Sequence, residues 1–380
     1  MRIAQVAPLY ESVPPKYYGG TERVVSYLTE ELVRQGHEVT LFASGDSVTK
    51  ARLVSACRRS LRLDKHCVDQ MAHHILLLEQ VFRRADQFDV VHFHVDYLHF
   101  ALSRRQPTAH VTTLHGRLDI PDLVPLYQEF SDMPVVSISD AQREPLPWVN
   151  WQATVYHGLP DDLYRFRAAP GTSLAFLGRI SPEKRVDRAI EIAKRVRMPL
   201  KIAGKVDRVD EDYFESVVKP LLRDPLVEYV GEIGEGVKGE FLGNAYALLF
   251  PIDWQEPFGL VMIEAMACGT PVIAYRRGSV PEVMEEGRTG FMVKGLEESG
   301  GGGPEGAGAQ PRAMSRDLRS ALLGRPDGGR LPAGVRAADR TQGRASVEGG
   351  GRWLKRLSAS TTSSTSSPRR AASSTTGRGC

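Results

Sequence analysis

The sequence predicts an α/β protein made of two domains, each with its own parallel β-sheet. First, a chain of 380 residues exceeds what one ordinary hydrophobic core needs and suits two. Second, short apolar runs alternate with amphipathic helical patterns up to about residue 293, which is typical of doubly wound strand–helix units. Third, a stretch containing Pro and Gly at residues 167–171 separates two series of such units. We therefore expect a first domain over residues 1–168 and a second over residues 169–298.

The first series contains six predicted strands and one clear helix. The helix lies between the first two strands, over residues 21–35, because its apolar side chains recur at helical spacing and Gly36 follows as a C-terminal stop. We expect it to pack on the sheet. The strands are predicted over residues 3–8, 38–43, 90–94, 110–114, 135–138 and 153–156.

The second series repeats the pattern of strand followed by helix. A further strand at residues 290–293 closes this series. The other predicted strands cover residues 174–177, 200–203, 227–230, 247–251 and 271–274.

The composition changes abruptly at about residue 299. Residues 299–380 contain 14 Lys and Arg against 5 Asp and Glu, a charge of +9 in a chain whose total is +3, so residues 1–298 carry −6. This segment is rich in Gly, Arg and Ser and lacks Ile, Phe and Tyr, so we expect it to be largely disordered. It reads either as a native basic tail or as an out-of-frame translation of a GC-rich gene. The acidic body disfavours nucleic acid as a partner.

Nothing in the sequence indicates a secreted or membrane-spanning protein. No run of eighteen apolar residues is present, and the opening residues MRIAQVAPLY lack the basic head and apolar stretch of a signal peptide. We expect a cytoplasmic location, with peripheral membrane contact left open. The four cysteines show no C-x-x-C pairing that would indicate zinc.

Two glutamates, Glu256 and Glu264, lie in the segment with the most specific pattern. Glu256 follows a predicted strand and precedes a helix, so it belongs to a loop at the carboxyl end of a parallel strand, where open α/β sheets bind ligands. Gly259 would let a ligand approach the backbone, with helix N–H groups facing a phosphate or sugar hydroxyls. Glu264, further along that helix, is placed to bind ribose hydroxyls. The alternative makes Glu256 a partner of the helix dipole and Glu264 a solvated helix residue.

The string EPFGLVMIEAMACGTPVIA, with Glu256 and Glu264 in an E-x7-E pattern, resembles the signature of retaining glycosyltransferase family 4. The resemblance covers roughly residues 1–295. It implies the GT-B fold, in which two Rossmann-like domains with parallel sheets face an interdomain cleft. It also implies that Glu256 holds the transferred sugar, Glu264 the ribose, and the backbone of Gly259 and Leu260 the sugar and phosphate.

A basic pair, Arg179 and Lys184, can converge on one anion, because Arg179 ends a strand and Lys184 is predicted in the first turn of the next helix. Read alone, the segment fits a surface turn with basic residues better than an anion site. It resembles the family's G-R-x-x-x-x-K element, which implies a clamp on the donor diphosphate. Arg185 departs from the family, which commonly has Gly there.

Gly19 and Gly20 follow the first strand and resemble the family's glycine loop, which faces the cleft. Two glycines there can present backbone donors to a diphosphate or leave room for the sugar, or merely form a flexible entry to the helix.

His115 ends the strand VTTLHG and matches the family position whose histidine approaches the donor sugar. We therefore group it with Glu256 as catalytic. His92, His94 and Asp96 could suggest a metal site. Strand alternation places both histidines on one face, but no clear third ligand accompanies them, so no metal is predicted. His94 and Asp96 are expected to line the acceptor cleft.

The expected activity is transfer of a sugar from a nucleoside diphosphate sugar to an acceptor hydroxyl with retention of configuration, which the resemblance implies. No cofactor is expected, because the nucleotide sugar is a substrate. The acceptor stays open among a sugar, a glycan, a lipid and a small metabolite. Alternatives are a GT-B epimerase or phosphorylase, and a catalytically silent nucleotide-sugar binder.

Family members normally continue past residues 290–293 with helices that complete the second domain. Here a helix begins at residues 296–298 and a glycine run then breaks it. We therefore expect an incomplete second domain, lower thermal stability and impaired activity.

Overall fold

The computed structural model describes residues 1–293 of the chain, which fold into two parallel β-sheets with helices around them. The first sheet has seven strands in the order β3-β2-β1-β4-β5-β6-β7. Each neighbouring pair is parallel. Its strands are β1 (Arg2–Val6), β2 (Glu38–Ala43), β3 (Arg52–Ser55), β4 (Val90–Phe93), β5 (His110–Thr113), β6 (Val135–Ser137) and β7 (Trp151–Thr154).

The second sheet has six parallel strands in the order β10-β9-β8-β11-β12-β13. The predicted boundary between residues 168 and 169 falls in the connection between the two sheets and stays a prediction. The strands are β8 (Ser173–Leu177), β9 (Leu200–Ala203), β10 (Val227–Gly231), β11 (Ala245–Phe250), β12 (Val272–Tyr275) and β13 (Gly290–Val293).

Helices cover the sheets. Those of the first half are α1 (Gly20–Arg34), α2 (Gln70–Phe82), α3 (Phe100–Ser103) and α4 (Leu123–Glu129). Those of the second half are α5 (Val186–Val196), α6 (Glu211–Tyr213), α7 (Lys219–Leu221), α8 (Glu235–Gly243), α9 (Leu260–Ala267) and α10 (Val280–Val283). A π-helical turn, Phe214–Val218, joins α6 to α7, and 3₁₀ turns lie at Ala85–Gln87, Ala141–Arg143 and Arg208–Asp210.

The α1 helix shows why these residues fold as predicted. It buries Val25 and Leu32 against the sheet. Gly36 takes a φ of 84°, and the N–H of the next residue, His37, returns to the carbonyl of Leu32 at 3.1 Å, so Gly36 ends the helix as expected.

Every predicted strand is present, with ends shifted by up to a few residues. The largest shift at a strand start in the first sheet is in β7, which begins at Trp151 instead of residue 153. β3 was not predicted, because it is a four-residue, partly exposed strand at the edge of the sheet with no continuous apolar run. The predicted helix start at residues 296–298 and the expectations for residues 299–380 lie outside the described residues.

Both sheets reverse their strand order at one point, and these points position the site. In the first sheet the reversal lies between β1 and β4, and in the second between β8 and β11. Open α/β sheets bind ligands at the carboxyl ends of strands at such points. The loops that follow these four strands carry the glycine pair, His94, Arg179 and Glu256 respectively. None of the helices within residues 1–293 has the length and apolar character needed to span a membrane.

Candidate active site

A cleft between the two sheets holds a cavity of about 810 Å³ lined by residues of both halves. The nine residues predicted from the sequence all line it, so the fold brings them together from four separate segments of the chain. They are Gly19, Gly20, His115, Arg179, Lys184, Glu256, Gly259, Leu260 and Glu264. Their individual roles remain predictions.

Glu256 is buried in the loop between β11 and α9. Its carboxylate accepts hydrogen bonds from the ammonium of Lys184 and from the indole N–H of Trp254, the latter at 3.0 Å. The loop is held in place because its Glu256 carbonyl accepts the N–H of Ser279 at 2.9 Å. Glu256 therefore forms a buried ion pair facing the cleft, and it makes no capping hydrogen bond to α9.

Gly259 precedes α9 with a φ of 77°, a left-handed conformation that favours glycine. A Cβ at this position would lie 2.8 Å from the Cε atom of Met262, so a larger residue would also displace the end of that side chain. No side chain caps the N–H groups at the start of α9. Across the cleft, a Cβ on Gly20 would lie 3.7 Å from the Cδ1 atom of Leu260, so the glycine loop and the start of α9 face each other.

Glu264 is buried in the second turn of α9, so the alternative of a solvated helix residue is wrong. Its carboxylate accepts a hydrogen bond from Lys238 of α8 at 2.7 Å. Burial lowers the pKa of Lys238, and the charge of Glu264 opposes that effect. Sequence reasoning missed Lys238, because a lysine among the glycines and glutamates of α8 has the pattern of a surface residue.

Three cations of the second half, Arg179, Lys184 and Lys205, line the cavity. Arg179 follows β8 and pairs with Glu183, with Asp210 at 3.6 Å and Asp207 at 3.8 Å as further carboxylates. Lys184 pairs with Glu256, as described above. Lys205 follows β9, with its Nζ atom 2.8 Å from Asp207.

The prediction for Lys184 needs one correction, and Lys205 was missed. Lys184 lies in the turn before α5, which begins at Val186, because the left-handed Arg185 separates the two. Lys205 had a usable signal, since Gly204-Lys205 follows β9 as Gly178-Arg179 follows β8.

The glycine loop is ordered by its neighbours, which argues against a merely flexible entry to α1. A Cβ on Gly19 would lie 2.8 Å from the Cβ of Pro15. The N–H of Tyr18 donates to Glu232 of the second half at 3.0 Å, and the Nζ of Lys205 lies 4.5 Å from the Tyr18 ring centroid. The start of α1 is thus fixed opposite the cations.

His115 lies beside two other histidines at the cleft. Its Nε2 atom is 2.9 Å from the Nδ1 atom of His94, and its ring stacks with that of His157 at 5.3 Å between centroids. Burial lowers the pKa of His115 to about 3, so the ring is neutral. His94 and Asp96 also line the cavity, and the expectation that they face the acceptor stays a prediction. Within residues 1–293 no group of three or more His, Cys, Asp or Glu residues is arranged to hold a metal ion.

A further buried carboxyl group, Glu22 of α1, lines the same cavity. It accepts the N–H of Glu11 at 3.3 Å, and burial raises its pKa to about 7. Its position two residues after the glycine pair was visible in the sequence, but nothing there indicated that the side chain is buried.

Comparison with known proteins places the chain among glycosyltransferases. Residues 18–152 match the family described as Glycosyltransferase Family 4, and residues 169–298 match Glycosyl transferases group 1, so the two matches together span well over half of the chain. An uncharacterized glycosyltransferase of Methanocaldococcus jannaschii is 24% identical over 346 residues, covering 77% of this chain and 85% of that protein. The D-inositol 3-phosphate glycosyltransferase of Streptomyces scabiei is 32% identical over 169 residues, covering 38% of this chain and only 37% of that relative.

Solved structures show the same architecture. Sucrose-phosphate synthase from Thermosynechococcus elongatus superposes with a TM-score of 0.72 at 18% identity, covering 95% of this chain and 100% of that one. Anabaena HepE in complex with UDP and glucose gives a TM-score of 0.67 at 16% identity, with 95% and 100% coverage. The two parallel sheets, the cleft between them and the two family matches together show that this chain belongs to the GT-B glycosyltransferases of family 4.

Proposed function

We propose that this glycosyltransferase moves a sugar from a nucleoside diphosphate sugar to an acceptor hydroxyl and retains the anomeric configuration. The observation that carries the proposal is the arrangement around the cavity. Arg179, Lys184 and Lys205 face the glycine loop, while the carboxylates of Glu256 and Glu264 lie at the same cleft. Cations opposite uncapped backbone N–H groups suit a diphosphate, and buried carboxylates suit sugar and ribose hydroxyls.

The donor is proposed to lie along α9, with its diphosphate between the cations and the start of α1. Each of the three cations has a carboxylate partner within the described residues, so the diphosphate would exchange with those partners instead of meeting free charges. Glu264 would bind the ribose, and Glu256 with His115 would orient the sugar. That Anabaena HepE was solved with UDP-glucose supports a uridine nucleotide as the first donor to test.

The proposed mechanism is front-face displacement. The bond from the anomeric carbon to the diphosphate oxygen breaks while the acceptor oxygen bonds to the same face, and the departing phosphate takes the acceptor proton. Arg179 and Lys184 stabilise the charge that develops on the diphosphate, which is a role that a metal ion fills in other enzymes. Positioning and charge stabilisation would supply most of the rate, and no covalent nucleophile is assigned.

Donor binding can be measured by differential scanning with UDP-, GDP-, ADP- and TDP-sugars. We expect one nucleotide class to raise the melting temperature, because ligand at a hundredfold its Kd adds about 2.7 kcal/mol to the free energy of unfolding. Lys184→Ala should lose most of this shift. Lys201→Ala is the matched control, because Lys201 is an exposed lysine of β9.

Three results would contradict the proposal. The first is a protein that no nucleotide sugar stabilises. The second is a Lys184→Ala variant that is stabilised as much as the parent. The third is transfer that EDTA abolishes and a divalent ion restores, because it would assign the diphosphate charge to a metal.

A further inference from the structure

Three histidines and one glutamine form a continuous hydrogen-bonded chain behind the cleft. Gln5 is fully buried in β1, an interior strand of the first sheet. Its Oε1 atom lies 2.8 Å from Nε2 of His94, and its Nε2 atom lies 3.4 Å from Nδ1 of His92. His94 continues through Nδ1 to Nε2 of His115, and His92 through Nε2 to the hydroxyl of Thr113 at 2.8 Å. A buried polar side chain in an interior strand is costly unless such bonds satisfy it.

The orientation of the Gln5 amide determines which nitrogen of each ring carries the proton. The Oε1 atom only accepts, so Nε2 of His94 must carry a proton and donate it. Burial lowers the pKa of His94 well below its ordinary value, so the ring is neutral and its Nδ1 is an acceptor. The partner of that nitrogen, Nε2 of His115, must therefore be protonated.

His115 is consequently left with an unprotonated Nδ1. Among the described residues this buried atom has no hydrogen-bond partner. His157 stacks on the His115 ring, and Phe258 contacts the His157 ring at 4.8 Å between centroids. An unpaired buried acceptor costs free energy until a hydroxyl or N–H group donates to it.

We propose that Gln5 and His94 are positioning residues that hold His115 in the Nε2–H tautomer, so that its Nδ1 accepts a hydrogen bond from a hydroxyl of the donor sugar. The proposal rests on the proposed function, because the sugar is the ligand that would supply this hydroxyl. The tautomer itself is a property of the ligand-free protein. It can therefore be tested independently of any activity.

The decisive measurement is the ¹⁵N NMR spectrum of the ligand-free protein labelled in its histidines, with the His115 signals identified by their loss in His115→Gln. We expect Nδ1 of His115 to be unprotonated and Nε2 protonated. In Gln5→Leu the Nε2–H group of His94 would be left buried without an acceptor, so His94 should move its proton to Nδ1. That nitrogen then donates to His115 and shifts the His115 proton to its Nδ1 atom.

Thr112→Val is the matched control. The substitution removes the buried hydroxyl of Thr112 in β5, which hydrogen-bonds to His99. His99 is not hydrogen-bonded to Gln5, His94 or His115, so the His115 tautomer should stay unchanged. With UDP-glucose as the donor, Gln5→Leu should lower kcat roughly tenfold while its affinity for UDP alone stays unchanged, because the lost contact is to the sugar. A general structural defect would weaken UDP binding as well.

A protonated Nδ1 on His115 in the parent protein, or the same tautomer in the parent and in Gln5→Leu, would overturn the proposal. Both can be read in the absence of substrate. If the parent protein shows the expected tautomer but transfers no sugar, the proposed function fails while the role of Gln5 in setting the tautomer stands.

Discussion

At the scale of single residues, Glu256 is a buried carboxylate with two hydrogen-bond donors. It accepts hydrogen bonds from the ammonium of Lys184 and the indole of Trp254. Glu256→Gln keeps the size of the side chain but removes its charge. If Glu256 orients the reacting sugar as proposed, kcat should fall by at least about a hundredfold, because such a contact contributes to the transition state. Stability should fall by about 1–3 kcal/mol, because Lys184 loses a partly buried partner.

Glu79→Gln provides the control for Glu256→Gln, because Glu79 is an exposed carboxylate on α2 that is not among the residues lining the cavity. Steady-state kinetics and thermal unfolding of both variants separate the two effects. Near-normal turnover by a folded Glu256→Gln protein would reject the assignment of this residue.

Glu22 leads to a prediction on pH. Burial raises its pKa from 4.5 to about 7, so between these values the folded protein keeps a proton that the unfolded chain has released. The free energy of unfolding should therefore fall as the pH rises through this window. Glu22→Gln cannot ionise. It should match the parent below pH 4.5 and exceed its stability above pH 7, by up to about 3 kcal/mol.

Chemical denaturation at a series of pH values measures this difference, and the exposed Glu79→Gln substitution again serves as the control. Parallel curves of stability against pH for the parent and Glu22→Gln would show that the carboxyl group is ionised normally in the fold.

The sequence predicted those residues of the candidate site that follow the end of a strand. Arg179, Glu256 and His115 each come directly or shortly after an apolar run, and parallel strands bring their carboxyl ends to one edge. Glu22 and Lys238 were not predicted, because their functional environment comes from burial by other elements, which a local pattern does not reveal. The hydrogen bonds that join Gln5 to His94 and His115 were missed for the same reason.

At the scale of elements, the start of α5 carries an unusual backbone. Arg185 has a φ of 56° and pairs with Asp187 at 2.8 Å and Asp253 at 3.1 Å. Arg185→Gly and Arg185→Ala lose the same ion pairs, but only Ala keeps a Cβ in the left-handed region. We expect the Gly variant to be more stable than the Ala variant by about 1 kcal/mol. Urea unfolding measures the difference.

The same two substitutions at Glu191, in the middle of α5, should give the opposite order, with Gly about 1 kcal/mol less stable than Ala. If Ala were the more stable residue at both positions, the left-handed conformation of Arg185 would be wrong. The family resemblance anticipated this position, since Gly is common there, but the sequence alone did not reveal how an arginine adapts.

Strands were predicted more reliably than the elements between them. Buried interior strands such as β11 and β12 form continuous apolar runs, so their sequences identify them. The edge strand β3 has two exposed ends and no such run. Lys184 was placed in a helix because the amphipathic pattern of α5 is strong, while the backbone reversal at Arg185 leaves no apolar signal.

At the scale of the whole molecule, polar contacts join the two halves around the cleft. The carboxylate of Glu282 accepts the N–H groups of Asp140 and Ala141, both at 2.7 Å. Glu232 accepts the N–H of Tyr18 at 3.0 Å and pairs with Arg62 at 3.3 Å. The contact of Tyr18 with Glu232 holds the residue before the glycine pair against the second half. These contacts depend on the relative placement of two domains, which no pattern within either half specifies.

The central claim is that this cleft transfers a sugar from a nucleotide to an acceptor, and ¹H NMR of the reaction tests it most directly. The protein is incubated with the nucleotide sugar that binds and a panel of hydroxyl acceptors, and the nucleotide and anomeric signals are followed over time. We predict release of the nucleoside diphosphate in step with a glycoside that has the anomeric configuration of the donor. An inverted glycoside, a changed sugar still attached to its nucleotide, or tight donor binding with no turnover would contradict this account.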